Sequence, residues 1–143
     1  MRRLAAALVL AAAPAFAVPP PPADPTLDQD RTLGEDLVRQ GRFELSIPFL
    51  VEAAKRDPMV AELHVYLAFA LRNVGRREEA GAHYRFALRL DPDNRWALAY
   101  YGVLLLEEGE RAEAEAMLVT LRRVCETTCP ERDELERAFA ARS

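Results

Sequence analysis

A repeat of 34 residues constrains the fold of this chain more than any other feature of its sequence. Gly41, Gly75 and Gly109 follow one another at that interval. Large apolar residues and small residues recur at the same interval, namely Leu33, Leu67 and Tyr101, then Leu37, Leu71 and Leu105, and also Gly34, Ala68 and Gly102. A constant period of this length indicates a repeat array, in which each repeat is one supersecondary unit that packs on its neighbours.

Each period holds two amphipathic helical stretches on either side of one of these glycines. In the stretch 61–74, apolar residues recur at steps of three and four, which is the spacing of one helix face. Gly75 follows, at a place where a left-handed backbone turn suits glycine. A second stretch begins at Arg76 and ends before Pro92, because proline cannot continue a helix. The chain therefore divides into three blocks: 27–60, 61–94 and 95–128.

The pattern within these blocks resembles the tetratricopeptide repeat. The middle block carries the residue types that this family places at its motif positions, with a histidine where tryptophan is commonest: His64, Leu67, Ala68, Leu71, Ala80, Tyr84, Ala87 and Pro92. The first block departs from the motif at Asp30 and Ser46, and the third at Leu121 and Glu126. The resemblance implies an all-α, right-handed α-solenoid of three helix pairs. The polar residues Asp30 and Ser46 at core-type positions predict a frayed, polar end at the first repeat.

The first 17 residues have the layout of a secretory signal peptide. Two arginines precede an unbroken apolar run over 4–13, and Ala15 and Ala17 are the small residues that signal peptidase requires. The run is shorter than the roughly 20 residues of a membrane-spanning helix, so we expect cleavage after Ala17 rather than an uncleaved anchor. This predicts a periplasmic or secreted protein with no stable membrane insertion after cleavage. Residues 18–26 contain four consecutive prolines and predict an extended linker, with a ligand for a proline-recognition domain as the alternative.

The two cysteines, Cys125 and Cys129, precede a predicted last helix. Pro130 suits the first turn of a helix because its missing N–H group costs nothing there. An apolar face follows, so we interpret 129–143 as a capping helix. In an oxidising compartment the two cysteines are expected to form a disulfide. A redox-active pair is disfavoured because the spacing is wider than CxxC, and a metal site because no further ligand lies near in sequence.

The sequence contains no pattern typical of catalysis or of cofactor binding. We find no nucleophile–base arrangement, phosphate-binding loop or cluster of metal ligands, and so expect a protein that is not an enzyme and needs no cofactor or metal. The formal net charge of −4 disfavours nucleic acid as a partner, because an acidic chain gains nothing from releasing phosphate counterions.

The resemblance also implies where a partner binds. In this family the first helix of each repeat lines a concave groove, and certain positions of that helix commonly contact the partner. Carried onto this chain, those positions predict a groove formed by Arg31, Glu35, Val65, Phe69, Arg72, Asn73, Trp96, Val103 and Leu106. The Lys and Asn clamp that some family members use for acidic chaperone tails is incomplete here, because the corresponding positions carry Arg31, Glu35 and Tyr66.

The predicted function is a protein–protein interaction module in the cell envelope or periplasm. It binds a peptide or a partner helix in the concave groove, because apolar groups with polar rims suit such ligands. Three alternatives stay open. The repeats self-associate as a structural homo-oligomer, or the protein performs thiol-redox chemistry with Cys125 and Cys129. In the third, Trp96 and Phe69 pack beneath the first repeat or the Pro-rich segment, or inside the array, instead of facing a partner.

Overall fold

The computed structural model describes residues 26–142, with side chains from residue 29 onward. This part of the chain forms helices joined by short turns: α1 (Thr26–Arg39), α2 (Phe43–Arg56), α3 (Ala61–Asn73), α4 (Arg77–Leu90), α5 (Arg95–Glu108), α6 (Arg111–Val124) and α7 (Pro130–Ala140). The predicted signal peptide, 1–17, and all but the last residue of the predicted linker, 18–26, lie outside the described residues.

The helices pack in sequential pairs, α1 with α2, α3 with α4, and α5 with α6. Successive pairs stack because α2 contacts α3 and α4 contacts α5, while α7 covers the last pair through α5 and α6. The prediction of an all-α, right-handed solenoid of three helix pairs with a terminal cap is confirmed. One helix pair cannot bury its own apolar face, and this stacking supplies the missing neighbours.

The repeating glycines form the turn inside each helix pair. Gly41, Gly75 and Gly109 have φ values of 73°, 85° and 85°, which other residues adopt only with strain. In the middle turn the Arg76 N–H group donates to the Leu71 carbonyl at 2.9 Å, and the same backbone bond closes the other two turns. This pattern satisfies carbonyl groups that the end of a helix would otherwise leave unpaired.

The core consists mainly of alanine and leucine, and one glycine allows the cap to approach it closely. A Cβ atom built on Gly102 of α5 would lie 2.7 Å from Cδ2 of Leu135 on α7, which is closer than van der Waals contact allows. The Leu135 side chain is fully buried. The cap therefore packs directly on the backbone of α5, and Gly102 makes that contact possible.

The first helix pair is not polar and frayed in the way its sequence suggests. Ser46 is fully buried, and its hydroxyl donates to the Phe43 carbonyl at 2.7 Å. Asp30 is held by Arg56 at 2.7 Å, which ties α1 to α2. The prediction of a frayed end is therefore wrong at Ser46, because a hydroxyl that bonds to its own helix can be buried at little cost. His64, which stands at the motif position where tryptophan is commonest, is buried with 7% of its surface exposed.

Candidate partner-binding groove

A groove runs along the face where α1, α3 and α5 lie side by side. Its N-terminal pocket, of about 610 Å³, is lined by residues that include Val38, Phe43, Glu62, Val65 and Tyr66. Its C-terminal pocket, of about 470 Å³, is lined by residues that include Arg72, Val103, Glu131, Glu134 and Arg137. Phe69, Trp96 and Tyr100 line both pockets, so the two are parts of one continuous surface.

Four aromatic rings in contact form the floor of this groove, and we call them the aromatic row. Phe43 meets Phe69 edge-on with ring centres 5.8 Å apart. Phe69 lies 4.8 Å from Tyr100, which lies 5.7 Å from Trp96. Trp96 keeps 51% of its surface exposed to solvent, whereas the other three rings are half-buried. Contact with a partner would remove apolar surface of the aromatic row from water, which is favourable.

Ion pairs arrange the charged side chains at the N-terminal end of the groove. Arg31 contacts Glu35 at 2.8 Å and Glu62 at 3.0 Å, which connects α1 with α3. Arg39 donates to the Tyr66 hydroxyl at 3.0 Å, and its guanidinium carbon lies 5.6 Å from the centre of that ring. Exposed pairs of this kind contribute little to stability. Their main effect is to hold polar groups at the edge of the apolar floor.

A half-buried ion pair joins α3 to α5 beside the C-terminal pocket. Arg72 grips Glu107 with two parallel hydrogen bonds, one of them 3.0 Å from Nε to Oε2. These bonds hold the pKa of the Glu107 carboxyl below its ordinary value of 4.5. Because the charge of Arg72 is matched by Glu107, it does not make the pocket cationic.

The cap contributes a mostly acidic wall to the C-terminal pocket. Glu131 and Glu134 of α7 line it together with Arg137, which contacts Glu134 at 2.6 Å. Glu131 has only 9% of its surface exposed. Burial first, and then the negative charges of Glu134 and Glu131, raise the pKa of the Tyr100 hydroxyl above its usual 10.0. Both carboxylates therefore lie close enough to Tyr100 to act on its hydroxyl.

Five of the nine residues predicted for the groove lie in it, and four do not line either pocket. Val65, Phe69, Arg72, Trp96 and Val103 line one or both pockets. Arg31 and Glu35 are engaged with each other in the ion pairs described above. Asn73 is exposed and turns back to the Phe69 carbonyl at 2.8 Å, and Leu106 is buried with 7% of its surface exposed.

The groove also includes residues that the sequence reasoning did not select. Tyr66 and Tyr100 belong to the lining, and they stand 34 residues apart, so the repeat itself contained the signal that equivalent positions face the same way. The contribution of Glu131, Glu134 and Arg137 had no comparable signal, because it depends on the direction in which α7 crosses α5.

The two cysteines lie at the start of the cap. The structure joins them as a disulfide, with their Cα atoms 5.7 Å apart. Both side chains are buried. Whether the protein carries this bond in its natural compartment stays a prediction. Mass spectrometry of the non-reduced protein tests it, and two free thiols would contradict it.

Within 26–142 no three His, Cys, Asp or Glu side chains come together in a way that could hold a metal ion. No helix in the same range is long and apolar enough to cross a membrane.

Comparison with known proteins identifies the repeat. Residues 74–124 match the family described as tetratricopeptide repeat. Over 75 residues the chain is 40% identical to BBSome complex member BBS4 of Bos taurus, an alignment that covers 52% of this chain and 14% of that protein. The chain thus spans only a small part of the length of that relative.

Solved structures with the same fold cover most of the chain. The TPR2B domain of yeast Sti1, solved in complex with pHsp70, superposes with a TM-score of 0.73 at 20% identity and covers 82% of this chain and 98% of that one. A mutant of MamA gives a TM-score of 0.68 at 24% identity and covers 73% of this chain and 77% of that one. These structures show the fold of the chain, and residues 74–124 within it resemble the tetratricopeptide repeat, in agreement with the 34-residue period, the glycine turns and the helix pairs.

Proposed function

We propose that this protein is a non-enzymatic interaction module that binds a peptide or a helix of a partner protein in the groove formed by α1, α3, α5 and α7. The observation that carries the proposal is the aromatic row with its half-exposed tryptophan at the centre of two connected pockets. Aromatic residues, tryptophan above all, are enriched among the residues that dominate binding energy. The Sti1 domain with the same fold was solved in a complex, which supports the use of such a fold for binding.

The shape of the groove favours an elongated ligand. Two pockets that share their central rings form an extended surface instead of one closed cavity. An amphipathic helix or an extended peptide covers a surface of this kind by placing successive side chains in successive pockets.

A pair of variants with similar exposure tests this proposal. Trp96→Ala removes half-exposed aromatic surface inside the groove, and Leu45→Ala removes a leucine that is 50% exposed on α2 and lines neither pocket. Proteins captured by the immobilised wild type from envelope extract are quantified by mass spectrometry against both variants. We expect a specific partner to be depleted about thirtyfold by Trp96→Ala, the effect of a hot-spot residue worth 2 kcal/mol, and to be unaffected by Leu45→Ala. Equal capture by all three proteins would contradict a role for the groove.

Partner binding can also be titrated directly by tryptophan fluorescence. Trp96 is the one tryptophan in the sequence. Its fluorescence therefore reports on the groove without a label, and a purified partner that occupies the groove changes its emission. Binding that leaves the emission unchanged would place the contact elsewhere.

We also propose that the protein works outside the cytoplasm after removal of residues 1–17. The support is the order of charged, apolar and small residues in that segment. N-terminal sequencing of the protein from the producing cell is expected to begin at Val18, and a mature protein that begins at Met1 would contradict the proposal.

Self-association is a second candidate function, and exposed leucines at one end of the solenoid favour it. Leu33 on α1 and Leu45 on α2, both in the first helix pair, are 44% and 50% exposed. A second copy of the chain would cover them. Light scattering over a range of concentrations tests this, because a monomer at tens of micromolar excludes a stable homo-oligomer.

A further inference from the structure

We infer that the C-terminal pocket receives a lysine or arginine side chain of the partner, recognised by the carboxylate of Glu131 and by the rings of Trp96 and Tyr100. This inference rests on the proposed function, since it specifies the chemistry of the ligand that the groove binds. It assigns a role to a charged residue that the fold leaves buried and unmatched.

Glu131 is more than nine-tenths buried, and no cation of the described residues pairs with it. Its one close polar contact is Sγ of Cys129 at 3.6 Å, which carries no proton when the disulfide is formed. The side chain lines the C-terminal pocket. A buried carboxylate without a counter-ion is unfavourable, so a cation that enters the pocket would offset that cost.

The position of Glu131 in the first turn of α7 does not account for this arrangement. A negative charge is favourable near the N-terminus of a helix, but Asp133 provides one in the same turn while its side chain stays 44% exposed and paired with Arg132. The dipole of α7 therefore requires no buried carboxylate.

The other charges of the pocket are matched by neighbours. Arg72 is paired with Glu107, and Arg137 contacts Glu134 at 2.6 Å. These two pairs cancel, which leaves the charge of Glu131 as the net charge of the wall. A partner with an acidic side chain would meet this uncompensated carboxylate, whereas a basic side chain complements it.

The aromatic row strengthens the preference for a cation. Trp96 and Tyr100 line the same pocket and are in mutual contact, with ring centres 5.7 Å apart. The face of an aromatic ring attracts a positive charge, and tryptophan does so most strongly. The hydrocarbon stem of lysine or arginine can lie along the rings while its charged group reaches the carboxylate. The volume of about 470 Å³ suits such a side chain better than a bare ion.

Selection from a random peptide library displayed on phage tests the inference without knowledge of the natural partner. The purified protein is the bait, together with Trp96→Ala, Glu131→Gln and Asp133→Asn. Glu131→Gln removes the charge and keeps the shape. Asp133→Asn is the matched control, because it removes a charge from the same helical turn at a residue outside both pockets. Thermal melting by circular dichroism verifies that each variant is folded.

We expect the peptides that depend on Trp96 to share one basic position. Glu131→Gln weakens a selected peptide about tenfold or more, as does replacement of the basic residue by norleucine, and Asp133→Asn leaves its affinity within about twofold. Higher salt weakens the wild-type complex more than the Glu131→Gln complex. Peptides that need Trp96 but show no basic preference, or that bind Glu131→Gln as well as wild type, would overturn this inference and leave the proposed function standing. Failure to select any Trp96-dependent peptide would overturn both.

Discussion

The contact between Gly102 and Leu135 predicts a strong coupling between two substitutions. Leu135→Ala removes a fully buried side chain from the interface between α5 and α7, which costs about 2–5 kcal/mol of stability. Gly102→Ala places a methyl group where the Leu135 Cδ2 atom lies 2.7 Å away, and overpacking of this kind costs about 1–3 kcal/mol. Alanine also favours the helix by about 1 kcal/mol over glycine, so the net loss for the second variant is smaller.

In the double variant the two effects oppose each other. The methyl group at Gly102 occupies space that Leu135→Ala vacates, so the clash disappears and part of the cavity is filled. We expect the double variant to be more stable than the sum of the single effects by about 1–2 kcal/mol, within the range observed for residues in contact. Urea unfolding of the wild type and the three variants, followed by circular dichroism, provides the cycle.

Additivity within about 0.5 kcal/mol would refute the packing of α7 directly on α5. Because α7 provides the acidic wall of the C-terminal pocket, that result would also refute the assignment of Glu131 to the pocket. Hydrogen exchange adds a local control, since in a repeat array the terminal helix opens separately from the rest. Leu135→Ala is expected to speed exchange in α7 first.

Three further predictions concern ionisable groups. Glu107→Gln breaks the half-buried pair with Arg72 and lowers the free energy of unfolding by about 1.5–3 kcal/mol in urea titrations at pH 7. Because the pKa of Glu107 is depressed in the folded state, that contribution is lost as pH falls below about 4.5. A difference in stability between the variant and the wild type that persists at pH 2 would contradict this. Burial first, and then His64, whose ring nitrogen lies 3.1 Å away, lower the pKa of His83. The stability of the fold therefore falls as pH drops below 6.5, where the unfolded chain binds the proton more readily. His83→Gln is expected to flatten this dependence in thermal melts from pH 7 to 5, and an unchanged dependence would contradict the pair. The Tyr84 hydroxyl is buried without a hydrogen-bond partner among the described residues. Tyr84→Phe is therefore expected to leave the free energy of unfolding unchanged or to raise it by about 1 kcal/mol in urea titrations, and a decrease of more than about 1 kcal/mol would reveal a partner.

The repeat made most of the fold predictable from sequence. Each glycine that closes a turn has a positive φ, and the sequence signals this because only glycine adopts that conformation without strain. The apolar faces of the helices follow from spacing alone. The exception is Ser46, whose polarity suggested exposure. Its hydroxyl bonds locally to its own helix, a solution that composition does not reveal.

The groove was less predictable because exposure depends on tertiary packing. Leu106 and Val103 are both buried at 7% exposure, yet Val103 lines the C-terminal pocket and Leu106 does not. A position in a helical repeat fixes the direction of a side chain only approximately. The packing of the cap then determines which of these side chains line the pocket. The place of Tyr100 in the groove, by contrast, could have been predicted from sequence, because Tyr66 occupies the equivalent position of the preceding repeat and both line the N-terminal pocket.

The acidic end of the groove required the structure. In the sequence, Glu131 is an acidic residue directly after Pro130, and an acidic residue in the first turn of a helix calls for no explanation beyond the helix dipole. Only the packing of α7 over α5 brings that carboxylate beside Trp96 and Tyr100. The crossing of two helices depends on detailed side-chain packing, which periodicity does not encode.

Mapping of a bound ligand by nuclear magnetic resonance is the most direct test of the central claim, that the groove is the binding surface. A partner or selected peptide is titrated into isotopically labelled protein, and the amide shifts are followed along the chain. The largest changes are expected on the groove side of α3, α5 and α7, around Tyr66, Phe69, Trp96, Tyr100 and Glu131. Changes concentrated on the exposed surfaces of α4 and α6, with these residues unaffected, would contradict it.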